Sequence, residues 1–216
     1  MENQNQFSEK DSLNLITDMI NKAKQSFHDS GVGPIMWGTV VMFCSLVTYA
    51  KFKFDFVLLF DIWLLTLLAI IPQIIISYKA KKSQKARSYN DIAMDYIWIS
   101  FGISLFLLIH ANSGIAENFQ KDFGDYFTTS GFRFYDYTTS LFLIIYGIPT
   151  FITGGIMKFK PMIFGGLFCW VCSIAAVYTP ALTDLLLMAA SAFFAWLVPG
   201  IIMNTKYRKL KKQQHV

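Results

Sequence analysis

Residues 92–112 read IAMDYIWISFGISLFLLIHAN, and no charged residue lies between Asp95 and His110. An apolar run of about eighteen or more residues with few charges is the signature of a transmembrane helix. Working outward from this stretch, five more such runs appear, at about 32–50, 56–78, 139–157, 162–178 and 183–203. None is long enough to be two spans. All the connections but one are short, so neighbouring helices should be antiparallel and packed together. The expected fold is all-α, a six-helix transmembrane bundle over residues 32–203. Residues 1–31 precede it and a basic tail, 204–216, follows it.

Composition agrees. Hydrophobic residues make up 54% of the chain and charged ones 15%, against about 25% charged in a typical soluble domain. Mean hydropathy is +0.43. Aromatics reach 17%, which suits the lipid interior and its interfaces. The same arithmetic excludes a disordered chain, a collagen and a disulfide scaffold.

Orientation follows from where Lys and Arg fall. With a cytoplasmic N-terminus, the inner side holds Lys10, Lys22, Lys24, Lys79, Lys81, Lys82, Lys85, Arg87, Lys158 and Lys160, and the tail adds Lys206, Arg208, Lys209, Lys211 and Lys212. Only Lys51, Lys53, Lys121 and Arg133 fall outside. Both termini are therefore expected in the cytoplasm. The first thirty residues lack a long apolar h-region, so the first span should serve as the insertion signal. The net charge of +5 calls for no nucleic acid, since the basic residues face anionic cytoplasmic lipid.

Two segments outside the spans carry a pattern. Over residues 8–28, Leu13, Ile16, Met19, Ile20, Ala23 and Phe27 recur at helical spacing among charged neighbours. This predicts an amphipathic helix, lying on the inner surface or docking a cytoplasmic protein partner. The long connection at 113–138 repeats the theme with Ile115, Phe119, Phe123, Tyr126 and Phe127 on one face. A helix and turn in the outer interface is one reading of it, and a lid over an outward cavity is the other. Lys51-Phe52-Lys53 with Trp63 also resembles Lys158-Phe159-Lys160 with Trp170 in spacing, as a three-plus-three inverted repeat would.

Ionisable groups in or beside a span are costly and hence functional candidates. Asp61, His110 and Asp184 are all expected near the outer face, where they could share one site for a proton, a cation or an amine. Alternatively each is wetted at headgroup depth or caps its own helix, as an acid in the first turn does. Asp95 suits the start of the third span in the same way. Gln73 and Thr66 lie seven residues apart on one face of the second span, as interhelical hydrogen bonds or as deeper ligand contacts.

Cys169-Trp170-Val171-Cys172 admits a membrane thiol oxidoreductase. The pair falls midway along the fifth span, however, and Cys44 is the only other cysteine. Gly165, Cys169, Cys172 and Ser173 instead form a small-residue stripe suited to close helix packing, as do Ser191 and Ala195 on the sixth span and Gly147 and Gly154 on the fourth. No HExxH, GxSxG, phosphate loop or metal-spaced His/Cys set occurs. No enzyme activity, cofactor or metal is therefore expected.

The pattern Leu13-x-Leu15-Ile16-x-x-Met19-Ile20-x-x-Ala23-Lys24-x-x-Phe27, followed by Trp37-Gly38, resembles a group of uncharacterised small bacterial multi-pass membrane proteins. The resemblance implies the bacterial inner membrane and carries no activity with it. Two functions stay open: a small transporter-like module with an outward vestibule, and a membrane scaffold or sensor subunit. The second would work through the 8–28 helix with a cytoplasmic partner, or as a homo-oligomer.

Overall fold

The computed structural model describes residues 13–14, 30–83, 89–130 and 138–213. Every regular element among them is helical. The main helices are α1 (Val32–Phe54), α2 (Leu64–Ser83), α3 (Tyr89–Ser130), α4 (Thr138–Ile156) and α5 (Lys160–Ala176). A final rod joins α6 (Ala181–Ala192), a π-helical turn (Phe193–Leu197) and α7 (Val198–Gln213) without a break. Among the described residues five helices are long and apolar enough to cross a membrane, and α5, with 17 residues, is apolar but shorter. This is the build of a multi-pass integral membrane protein. Apart from Leu13 and Asn14, the 8–28 segment lies outside the described residues, as do Lys85, Arg87 and the end of the 113–138 connection.

The core is made by α1, α4, α5 and the rod of α6, π-turn and α7. Small residues let these helices approach closely, as packing within lipid requires. The π-turn is gripped from two sides. A Cβ placed on Gly38 of α1 would stand 2.6 Å from the backbone nitrogen of Leu197, and one on Gly165 of α5 would stand 2.5 Å from the Cα of Ala195. Inside the turn, Val198 donates its N–H to the Phe193 carbonyl, five residues back. The wider coil displaces the backbone toward both neighbours, and no side chain but hydrogen fits there.

By contrast α2 and α3 are peripheral. Along its length α2 packs on α1, and α3 lies along α4. Only 6% of the apolar window of α2 is buried, and none of that of α3. Their ends meet through an ion pair between Lys81 and Asp95 at 3.0 Å.

Element boundaries depart from the expected ones in two instructive places. The apolar run that begins at Phe56 becomes helical only at Leu64. Asp61 accepts the backbone N–H of Trp63 at 3.0 Å and its carbonyl accepts that of Leu64 at 3.0 Å, so the carboxylate starts the helix from outside it. Secondly, α3 does not stop at Asn112. It runs for 42 residues, about 63 Å at 1.5 Å per residue, twice the hydrocarbon thickness. The amphipathic stretch expected as a separate outer helix is continuous with the third span.

Candidate functional site

Each polar residue singled out in the sequence has a definite set of neighbours. Gln73 joins two helices: its side-chain carbonyl accepts the indole N–H of Trp37 on α1 at 3.1 Å, and its amide donates to Ser77 at 3.1 Å. Thr66 turns back on its own helix and donates to the Trp63 carbonyl at 2.6 Å. Asp61 is exposed in the turn before α2. Beside it Cys44 donates its thiol to the Ile62 carbonyl at 3.4 Å, holding that turn against α1.

His110 is exposed on α3 and stacks on Phe106, with ring centres 6.4 Å apart. Asp184 differs from both. It is fully buried in the first turn of α6, where the Thr179 hydroxyl donates to its Oδ1 at 2.5 Å. Among the described residues no three His, Cys, Asp or Glu side chains stand close enough to hold a metal ion. Asp61, His110 and Asp184 do not form such a group.

The small-residue stripe of α5 lies in the core. Cys169 and Cys172 are buried at 1% and 4% exposure, beside Ser191 of α6. Both are free thiols enclosed in the helical core. Ser173 pairs with Ser140 of α4 reciprocally. Each hydroxyl lies 3.0 Å from the other residue's carbonyl oxygen and 3.0 Å from the other hydroxyl.

Two features had no counterpart in the sequence reading. The first is an aromatic cluster that joins three helices. Trp196, in the π-turn, donates its indole N–H to the Thr150 hydroxyl at 2.8 Å, and the Tyr146 ring lies 4.8 Å from its own. Phe101 of α3 meets both rings edge-on, at 6.0 and 5.9 Å. Comparison with protein-family models, curated proteins and solved structures finds no match.

The second feature is an open groove of about 280 Å³ between α3 and α4. Tyr96, Ser100 and Ser104 line one wall, and Ile145, Ile148, Pro149 and Ile152 line the other. Pro149 brings no N–H, so the Ile145 carbonyl loses its helical partner. The groove thus carries the hydroxyl-bearing Tyr96, Ser100 and Ser104 at the level of the apolar run, opposite the helix that Pro149 deprives of one backbone hydrogen bond. A four-residue spacing of Tyr96, Ser100 and Ser104 was the signal available beforehand. It is faint because serine is common in membrane helices for other reasons.

Proposed function

We propose that the protein is a non-enzymatic interaction subunit of the bacterial inner membrane. Its close-packed core holds α2 and α3 out as arms for a partner's transmembrane helix. In this reading α5 makes a sixth crossing, both termini are cytoplasmic, and the 8–28 segment offers a second contact on the cytoplasmic side. Lipid, anionic at that face, is its other partner.

The observation that carries the proposal is the α3–α4 groove. Ser100 and Ser104 are exposed midway along the 92–112 apolar run of α3, a helix with no buried residue in its apolar window. An apolar side chain loses nothing by facing lipid, whereas a hydroxyl gains by facing protein, and small residues four apart let a helix backbone come close. A photo-crosslinker placed at Ser104 in intact membranes should give a discrete protein adduct. The adduct mass then names the partner, and a gain of 24.7 kDa means a second copy. The same label at Phe164, exposed on α5, should give none. Equal labelling at both positions, or no protein adduct at Ser104, would defeat the reading.

A transporter-like module is the second reading, and Asp184 is what favours it. A fully buried carboxylate at the head of an apolar helix is a functional candidate by default. In that version Asp61 and His110 would act at the outer surface, and Gln73 and Thr66 would lie deeper. Proton or solute flux in proteoliposomes decides it. Flux lost in Asp184→Asn supports transport, and flux unchanged in Asp184→Asn, Asp61→Asn and His110→Ala ends it.

A further inference from the structure

The turn between α4 and α5 gathers positive charge from two parts of the chain. Lys158 and Lys160 flank Phe159 there, and Lys206 of α7 holds its ammonium 5.2 Å from the centre of the Phe159 ring. All three lysines are exposed. The backbone beneath them is fixed: Phe159 donates its N–H to the Gly154 carbonyl at 2.8 Å and Lys158 to that of Gly155 at 3.1 Å. Lys158 itself sits at φ 49°, in the left-handed region where glycine is at home and lysine is not. The ion pairs among the described residues lie elsewhere, at Lys81–Asp95 and Glu117–Lys121. Three cationic side chains thus stem from this turn and from the helix beside it, and an anion placed among them would be attracted by all three.

Position says which anion. Lys206 follows Met203, the last residue of the apolar run, and Phe159 lies in the short turn that joins the apolar helices α4 and α5. From the same turn, exposed apolar side chains descend α5, with Phe164 at 67% and Val171 at 64% exposure. A basic cluster at headgroup depth above an apolar track matches a molecule with a phosphate at one end and acyl chains at the other. We propose that Lys158, Lys160 and Lys206 bind the phosphate headgroup of an anionic phospholipid whose chains lie along α5.

The full-length protein in mixed detergent micelles tests this by titration with phosphatidylglycerol, read by the shift in unfolding temperature and by lipid adducts in native mass spectrometry. Phosphatidylcholine and inorganic phosphate serve as the other arms. Phosphatidylglycerol should bind and stabilise, and the other two should not. Each of Lys158→Gln, Lys160→Gln and Lys206→Gln should weaken binding about fivefold, from roughly 1 kcal/mol per basic residue near an anionic surface. The pair Lys51→Gln and Lys53→Gln, in the last turn of α1, should leave it unchanged. Equal losses from Lys51 and Lys53 would mean diffuse attraction and overturn the site. Binding of inorganic phosphate as tight as that of the lipid would overturn the lipid assignment. Retained affinity in all three single variants would overturn both.

Discussion

The indole N–H of Trp37 donates to the side-chain carbonyl of Gln73 across 3.1 Å, and this bond links the peripheral helix α2 to the core through α1. Interhelical hydrogen bonds within membranes contribute about 0.6 kcal/mol on average, and at most about 1.7 kcal/mol, in double-mutant cycles. Trp37→Phe, Gln73→Leu and the double variant should therefore show a coupling energy of that size in detergent unfolding. Strict additivity of the two single changes would mean that α2 is held by apolar contact alone.

The glycines separate into two kinds, and substitution by alanine should sort them. At Gly165 an added Cβ meets the Ala195 Cα at 2.5 Å, while at Gly102 nothing lies within 4 Å. Alanine favours a helix over glycine by about 1 kcal/mol where there is room. Gly102→Ala should raise the unfolding temperature. Gly165→Ala should lower it by forcing α5 away from the π-turn, at a cost of about 1–3 kcal/mol. A stabilised Gly165→Ala would contradict the close approach of these two helices.

These contrasts also show what could be read before the structure. The apolar runs were legible because crossing a bilayer imposes length and composition together, a constraint that acts on each segment alone. Boundaries set by a single side chain were not. Asp61 sits within an apolar run, yet its carboxylate is bonded to the Trp63 N–H and places the helix start after it. The helix that holds the third span also continues past Asn112 to Ser130, because one glycine, Gly114, costs a helix only about 1 kcal/mol, too little to stop a rod of 42 residues. The grouping of Asp61, His110 and Asp184 depended on which helices lie side by side. That is decided by small-residue contacts such as Gly38 against Leu197 and Gly165 against Ala195. The pairing of glycines across helices is invisible in a list of spans.

Lys158 sets stability against lipid binding. Its left-handed backbone, at φ 49°, costs a side chain about 1–2 kcal/mol that glycine does not incur. Lys158→Gly should raise the unfolding temperature in lipid-free detergent and, in the same protein, weaken phosphatidylglycerol binding about fivefold. The opposite signs are the point of the experiment. If the two quantities fall together, the lysine supports the turn itself rather than a ligand.

Asp61 and Asp184 are both helix-start acids and should respond unequally. Asp61 is exposed, so removing its bond to Trp63 costs what a lost cap costs, about 1 kcal/mol. Asp184 is fully buried and accepts from Thr179, and breaking a buried hydrogen bond so that one partner is left unsatisfied costs about 1–3 kcal/mol. Asp184→Ala should accordingly lower the unfolding temperature clearly more than Asp61→Ala, with Thr179→Val falling between them. Equal shifts would show that burial adds nothing to the Asp184 contact.

The three cysteines provide a chemical test of the core. Cys44, Cys169 and Cys172 are 0%, 1% and 4% exposed, and thiol reagents require the sulfur to be reachable as well as ionised. The folded protein in detergent should resist maleimide for as long as it stays folded, then take up three equivalents once denatured. A thiol oxidoreductase working through Cys169 and Cys172 would have to expose at least one of the two sulfurs to its partner. Rapid labelling of Cys169 in the native state, absent in Cys169→Ser, would therefore reopen the redox reading. Protection of both thiols leaves them to their packing role against Ser191, where a swap to serine or alanine should change stability and no activity.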